Sequence, residues 1–172
     1  ILLPKVARIG PALAELLQEQ GVPVYFDGAE SYFGLPEIKR MTALLSVLDN
    51  PLQDVPLIAS LKMPPFHVTD QELADIRLCK TGRDVPFYEA FRACCEEETP
   101  LGVHCKAIWE QLQGWRFMAE IMPMQDFVWH IIRETGFYAS CGALPEGELR
   151  QANLRLLCQR AAEYVQNGGI TL

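Results

Sequence analysis

The stretch TPLGVHCKAIWEQLQGWRFMAEIMP, Thr99–Pro123, decides the fold class. Within it Leu101, Cys105, Ile108, Leu112, Trp115, Ala119 and Met122 follow one another at steps of four and three. With ~3.6 residues per turn, that spacing winds all seven onto one face of an α-helix. A strand would need apolar residues at every second position, and they are absent. Pro123 closes the run. A helix over about Pro100–Met122 is therefore predicted, the most buried of its domain, with a stripe that is core and not a cofactor face.

The flanking segments read the same way. Ile38, Met41, Leu45 and Leu48 predict a helix from Pro36, ended at Asn50-Pro51 because a residue before proline avoids the α region. Asp54 is expected to cap a second helix that stops at Pro64-Pro65. Thr69-Asp70-Gln71-Glu72 has the form of a capping box, opening a short helix to about Leu78. Asp84 is expected to cap VPFYEAFRACCEEE, and MQDFVWHIIRETG is a helix stopped by Gly136. FYASCGALPEG reads as a turn region before a last helix from Glu148 to about Gln166. The Pro-punctuated connector from Val47 to Leu73 is thus a series of short helices whose apolar residues are core.

The N-terminal end differs. ILLPKV and VPVYF have strand character, and PALAELLQEQ between them is helical, with Gly21 as its stop. Two strands cannot bury both faces of a sheet, so this looks like the edge of a larger α/β unit. The expected fold class is mainly α: a multi-helix domain over 35–172, preceded over 1–34 by a partial strand-helix-strand unit. The opening without Met and the close at NGGITL are those expected of a segment cut from a longer protein.

Composition narrows the function classes. An apolar content of 49% over 172 residues suffices for a sizeable core. A net charge of -7 argues against a broadly basic nucleic-acid surface and leaves room only for a local patch. No apolar run reaches the ~18 residues of a membrane span. The six cysteines read as reduced, mostly buried thiols. No CxxC pair occurs, and the nearest approach to a metal set is Cys94-Cys95 with His104-Cys105. Neighbours on a helix point ~100° apart and make poor co-ligands, so no metal is expected.

Catalytic signals are missing. There is no phosphate loop of the form GxxxxGK followed by Ser or Thr, and no GxGxxG. His67, His104 and His130 lie in different elements, and His130 reads as structural. Glu96-Glu97-Glu98 is a solvated helix end. Arg150, Arg155 and Arg160 recur at steps of five, which rotate ~140° each. One or two of them can face a common phosphate ligand.

The order of several stretches resembles the UvrD-like, superfamily-one DNA helicases, and within them the helicase-nuclease subunits of the AddA (RexA) type. The stretches are LAELLQEQGVPVYFDGAESYF, PEIKRMTALLSVLDNPLQDVPLIASLKMP, TDQELADIR, LQGWR, ETGFY and GALPEGELRQANLRLLCQRAAEY. They cover nearly the whole chain in one order. The resemblance implies the opening of the second RecA-like motor domain, called 2A, over 1–34, and its helical insertion, called 2B, over 35–172. It further implies a cytoplasmic parent that unwinds and degrades DNA 3′–5′ with ATP and Mg²⁺ during double-strand-break repair. This region would be an auxiliary DNA-engaging or regulatory part, without a cofactor or catalysis of its own. Its implied partners are DNA through Arg150 and Arg155, the remaining motor domains, and a second helicase-nuclease subunit. The competing expectation is a protein-interaction module contacting that second polypeptide.

The sequence departs from the family pattern in two places. Where those helicases have an Arg-Ser pair that reaches bound nucleotide, this chain has Lys5-Val6, or Pro4-Lys5 in a register one residue earlier. Lys5 keeps the charge as the nucleotide-sensing candidate but lacks the bidentate fork of arginine. Where the single-subunit relatives carry a Gly-Ile-Gly turn in 2B, this chain has His67-Val68-Thr69.

Overall fold

The computed structural model describes residues 16, 17, 20–22, 32–82 and 84–166. Two compact units are distinguished, Ile1–Pro36 and Glu37–Leu172. In the first, the described backbone includes a 3-10 turn at Tyr32–Gly34 and a left-handed Gly21 at φ 74°. The expected strand-helix-strand unit, and Lys5 with it, falls almost wholly outside the described residues.

Beyond Leu35 the described residues form eight α-helices and no strand: α1 (Pro36–Asp49), α2 (Asp54–Leu61), α3 (Asp70–Cys79), α4 (Phe87–Cys94), α5 (Pro100–Ile121), α6 (Met124–Glu134), α7 (Phe137–Gly142) and α8 (Gly147–Gln166). The fold is mainly α. Helices α3 and α4 pack together, with α2 against α4, while α6, α7 and α8 form a second cluster. Helix α5 touches α4 at one end and α6 at the other, and so joins the two clusters.

Cys105, Ile108, Leu112 and Trp115 in the middle of the α5 stripe are buried, and Trp115 lies 5.8 Å from Phe66 between ring centroids. The ends of the stripe are half-buried, and Phe117 and Ile121 in the last turns face solvent. Helix α5 is therefore not the most buried. Six of the 14 residues of α1 are buried, against five of 22 in α5. A long helix bridging two clusters touches each with only part of its length.

The connector is core, as expected. Met63, Phe66 and Val68 are buried between α2 and α3. Thr69 and Glu72 form the reciprocal capping box, with the Thr69 N–H donating to Glu72 Oε2 at 2.8 Å and the Glu72 N–H to Thr69 Oγ1 at 3.2 Å. His67 has φ 50°, in the left-handed region that glycine prefers.

Two local expectations fail. Neither Asp54 nor Asp84 caps the helix that follows it: α2 has Gln53 and α4 has Pro86 at the capping position, both without a side-chain bond. Asp54 instead accepts from the N–H groups of Phe87 (2.7 Å) and Tyr88 (3.2 Å), so it caps α4 across the fold. FYASCG is not a turn but the six-residue helix α7, entered through Gly136 at φ 66°. Too short to show periodicity, it is held by packing against α6 and α8.

Candidate functional site

The arginines of α8 have opposite fates. Arg150 turns inward. Its Nη1 donates to Glu37 Oε2 at 2.9 Å and its Nε to the Pro145 carbonyl at 3.0 Å. Asn153 Nδ2 donates to the other Glu37 oxygen at 2.7 Å. Glu37 is 3% exposed, so this is a buried ion pair locking α8 to α1, and the guanidinium of Arg150 is engaged inside the fold.

Arg155 lies on the exposed face of α8. Its Nη1 donates to the Tyr138 hydroxyl, and its guanidinium carbon sits 5.9 Å from the centre of that ring. The Tyr138 ring meets Trp129 edge-on at 5.3 Å, and Gln151 Nε2 holds the Tyr138 carbonyl at 3.1 Å. A cleft of about 360 Å³ opens beside Trp129, lined also by Asp126, His130, Arg133 and Glu134. His130 Nε2 is 2.6 Å from Glu134 Oε2, one turn along α6. The α6–α7–α8 corner thus offers a guanidinium ordered on an aromatic pair, a form suited to phosphate or base contact, beside carboxylates that limit its affinity. Arg160 is exposed further along α8.

A second convergence joins α3 and α4. Cys79 closes α3 and Cys94 closes α4, while Glu97 lies in the turn that follows. The two Sγ atoms and a carboxylate oxygen of Glu97 all lie within 4.8 Å of one another. Burial, helped by a hydrogen bond with Cys94, pushes the Cys79 thiol up to about 12. Burial also raises the Cys105 thiol. Cys105, Cys95 and His104 all stand outside this group. Cys79, separated from Cys94 by 15 positions, gave no local signal.

The same order of residues recurs in known proteins, each the A subunit of an ATP-dependent helicase/nuclease. The one from Thermoanaerobacter sp. (strain X514) is 39% identical over 164 residues. That of Clostridium kluyveri (strain ATCC 8527) is 38% identical over 175 residues, and that of Geobacillus kaustophilus (strain HTA426) 42% over 170. Each alignment covers 95% of this chain. The chain is a homologue of one segment of these helicase/nuclease A subunits. It spans only 13–14% of the length of these relatives. No protein-family model matches it. The helicase/nuclease kinship was thus legible in the order of the stretches. Lys5, the candidate sensor of nucleotide, lies outside the described residues. No helix among the described residues is long and apolar enough to cross a membrane.

Proposed function

We propose that this chain is an auxiliary, DNA-engaging region of an ATP-dependent 3′–5′ helicase-nuclease that acts in double-strand-break repair. Residues 1–34 correspond to the start of motor domain 2A and 35–172 to the inserted domain 2B. The observation that carries this is the co-linear similarity to helicase/nuclease A subunits over 95% of the chain. ATP and Mg²⁺ then belong to motor elements outside this sequence, since it contains no Gly-rich loop ending in Lys and Ser or Thr to cradle a triphosphate. DNA is held weakly through phosphates, with Arg155 as the contact, because Arg150 is engaged with Glu37.

Fluorescence anisotropy with a duplex carrying a 3′ single-stranded tail tests this. Binding should be weaker than ~1 µM at physiological salt, in the range of non-specific phosphate contacts. It should fall with salt, and Arg155→Ala should reduce the logarithmic salt slope by about one. Affinity that ignores salt, or a variant indistinguishable from the parent, would refute the phosphate reading. In an ATPase assay, turnover that co-purifies with the chain and disappears in Lys5→Ala would overturn the auxiliary role.

The second reading is a protein-interaction module for a partner polypeptide. Phe117 and Ile121, four residues apart on α5 and 63% and 66% exposed, favour it together with the acidic charge. Such an interface would persist at high salt.

A further inference from the structure

We propose that Cys79, Cys94 and Glu97, with solvent as fourth ligand, form a site for a zinc-type cation at the junction of α3 and α4. The inference stands apart from the functional reading above and rests on this chain's own geometry. A tetrahedral zinc ion with Zn–S near ~2.3 Å and Zn–O near ~2.1 Å holds its donor atoms roughly 3.5–3.8 Å apart. The Cys79 and Cys94 sulfurs and the Glu97 carboxylate already lie within 4.8 Å of one another. Small side-chain rotations close the difference.

The backbone puts the donors there by separate means. Cys94 ends α4, and the Glu97 N–H donates to the Cys94 carbonyl at 3.0 Å, folding the following turn back over the helix end. Gly102 then lets α5 start against that turn. A Cβ at Gly102 would lie 2.2 Å from the Glu97 carbonyl oxygen and 2.7 Å from that of Cys94. This close approach holds the turn that carries Glu97 in place. Cys79 arrives from the end of α3, which packs on α4.

The charge balance favours an ion over a plain apolar filling. Leucine or alanine would fill this junction without polar atoms. Here two thiols meet a carboxylate, and among the described residues no cation forms an ion pair with Glu97. On binding a divalent ion, each ligating S–H loses its proton to solvent and forms an S–metal bond, and the ion offsets most of the charge so created. Thiolates select zinc over magnesium or calcium, which take oxygen donors. Access exists, because Glu97 and Cys95 line an open cleft of about 600 Å³ with Arg92, Lys106 and Trp109. The ion would staple the end of α3 to the end of α4 and the turn beyond it.

The test uses the full chain, stripped of metal and held under a thiol-free reductant. Co²⁺ serves as probe. One equivalent should give a thiolate-to-cobalt charge-transfer band, and one equivalent of Zn²⁺ should abolish it. Cys79→Ser and Glu97→Gln, both at the rim and so compatible with folding, should each weaken binding at least about tenfold. Cys141→Ser and Cys158→Ser, remote from the junction, should leave it unchanged. Zn²⁺ should raise the melting temperature of the parent but not of Cys79→Ser. Affinity should also fall with acidity, because protons compete for the thiolates. Absence of the band, or a band that survives Cys79→Ser or is lost equally in Cys141→Ser, overturns the site.

Discussion

Arg150→Ala should destabilise the domain by ~3 kcal/mol. The change removes the bond to Glu37 Oε2 and the bond to the Pro145 carbonyl. It leaves a carboxylate that is 3% exposed, held only by Asn153 at 2.7 Å. Deleting one partner of a buried pair typically costs ~3–5 kcal/mol, because the other charge is stranded. Arg150 is 25% exposed, so water reaches the vacated side, which points to the lower end of that range. Replacing both partners should cost much less. In Glu37→Gln with Arg150→Met no charge is stranded, and the amide oxygen still accepts from Asn153. A coupling of ~1–3 kcal/mol between the two positions is expected. Urea unfolding at neutral pH, followed by far-ultraviolet circular dichroism, measures it. With a slope of ~2 kcal/mol per molar, Arg150→Ala should lower the midpoint by ~1.5 M. A shift below ~0.5 M, or a double variant that loses the sum of the singles, would refute the buried-network account. A stable Arg150→Ala that instead binds DNA less well would move this residue to the interface.

Trp115→Ala should cost ~3–5 kcal/mol, read from the denaturation midpoint, because the indole is 1% exposed and packs on Phe66. Gly102→Ala should cost ~2 kcal/mol or more, since the added methyl meets backbone oxygens that cannot rotate away; a neutral melting temperature would contradict the tight α4–α5 junction. Asp54→Ala should cost ~1 kcal/mol and raise amide exchange at Phe87 and Tyr88, although both lie more than 30 positions away. Thr69 holds Glu72 below the usual carboxylate range, through its N–H and then its hydroxyl. That contribution is complete above the ordinary pKa of ~4.3 and is lost as pH falls through the lower folded value. The stability gap between the parent and Glu72→Gln should therefore close in acid; a gap independent of pH would mean that the capping box is silent.

What the sequence made legible was local. The α5 stripe, the Pro stops, Gly136 and the Thr69–Glu72 box each depend on residues within one or two turns. Periodicity and capping chemistry report such features directly. Helix α7 was missed because six residues show no period. The buried extent of α5 was overstated because a stripe does not reveal how far its partners reach along it.

The polar contacts that shape the domain were out of reach for another reason. Asp54 caps a helix 33 positions on, Glu37 meets Arg150 and Asn153 over more than 110 positions, and Cys79 meets Cys94 across two helices. In two cases the sequence reading assigned another role: Asp54 to its own helix and Arg150 to DNA. A charged or thiol side chain on one helix has many candidate partners in sequence, and only packing selects among them. The selected contacts share a consequence. Glu37 and Asp54 stand at the first turns of α1 and α2, the helices on either side of the Asn50-Pro51 break, and each carboxylate is fixed by a later helix. The proline breaks end the connector helices, but these two carboxylates tie them to the rest of the domain. Such non-local ties fix the direction of the connector, because proline alone stiffens the chain without choosing where it points.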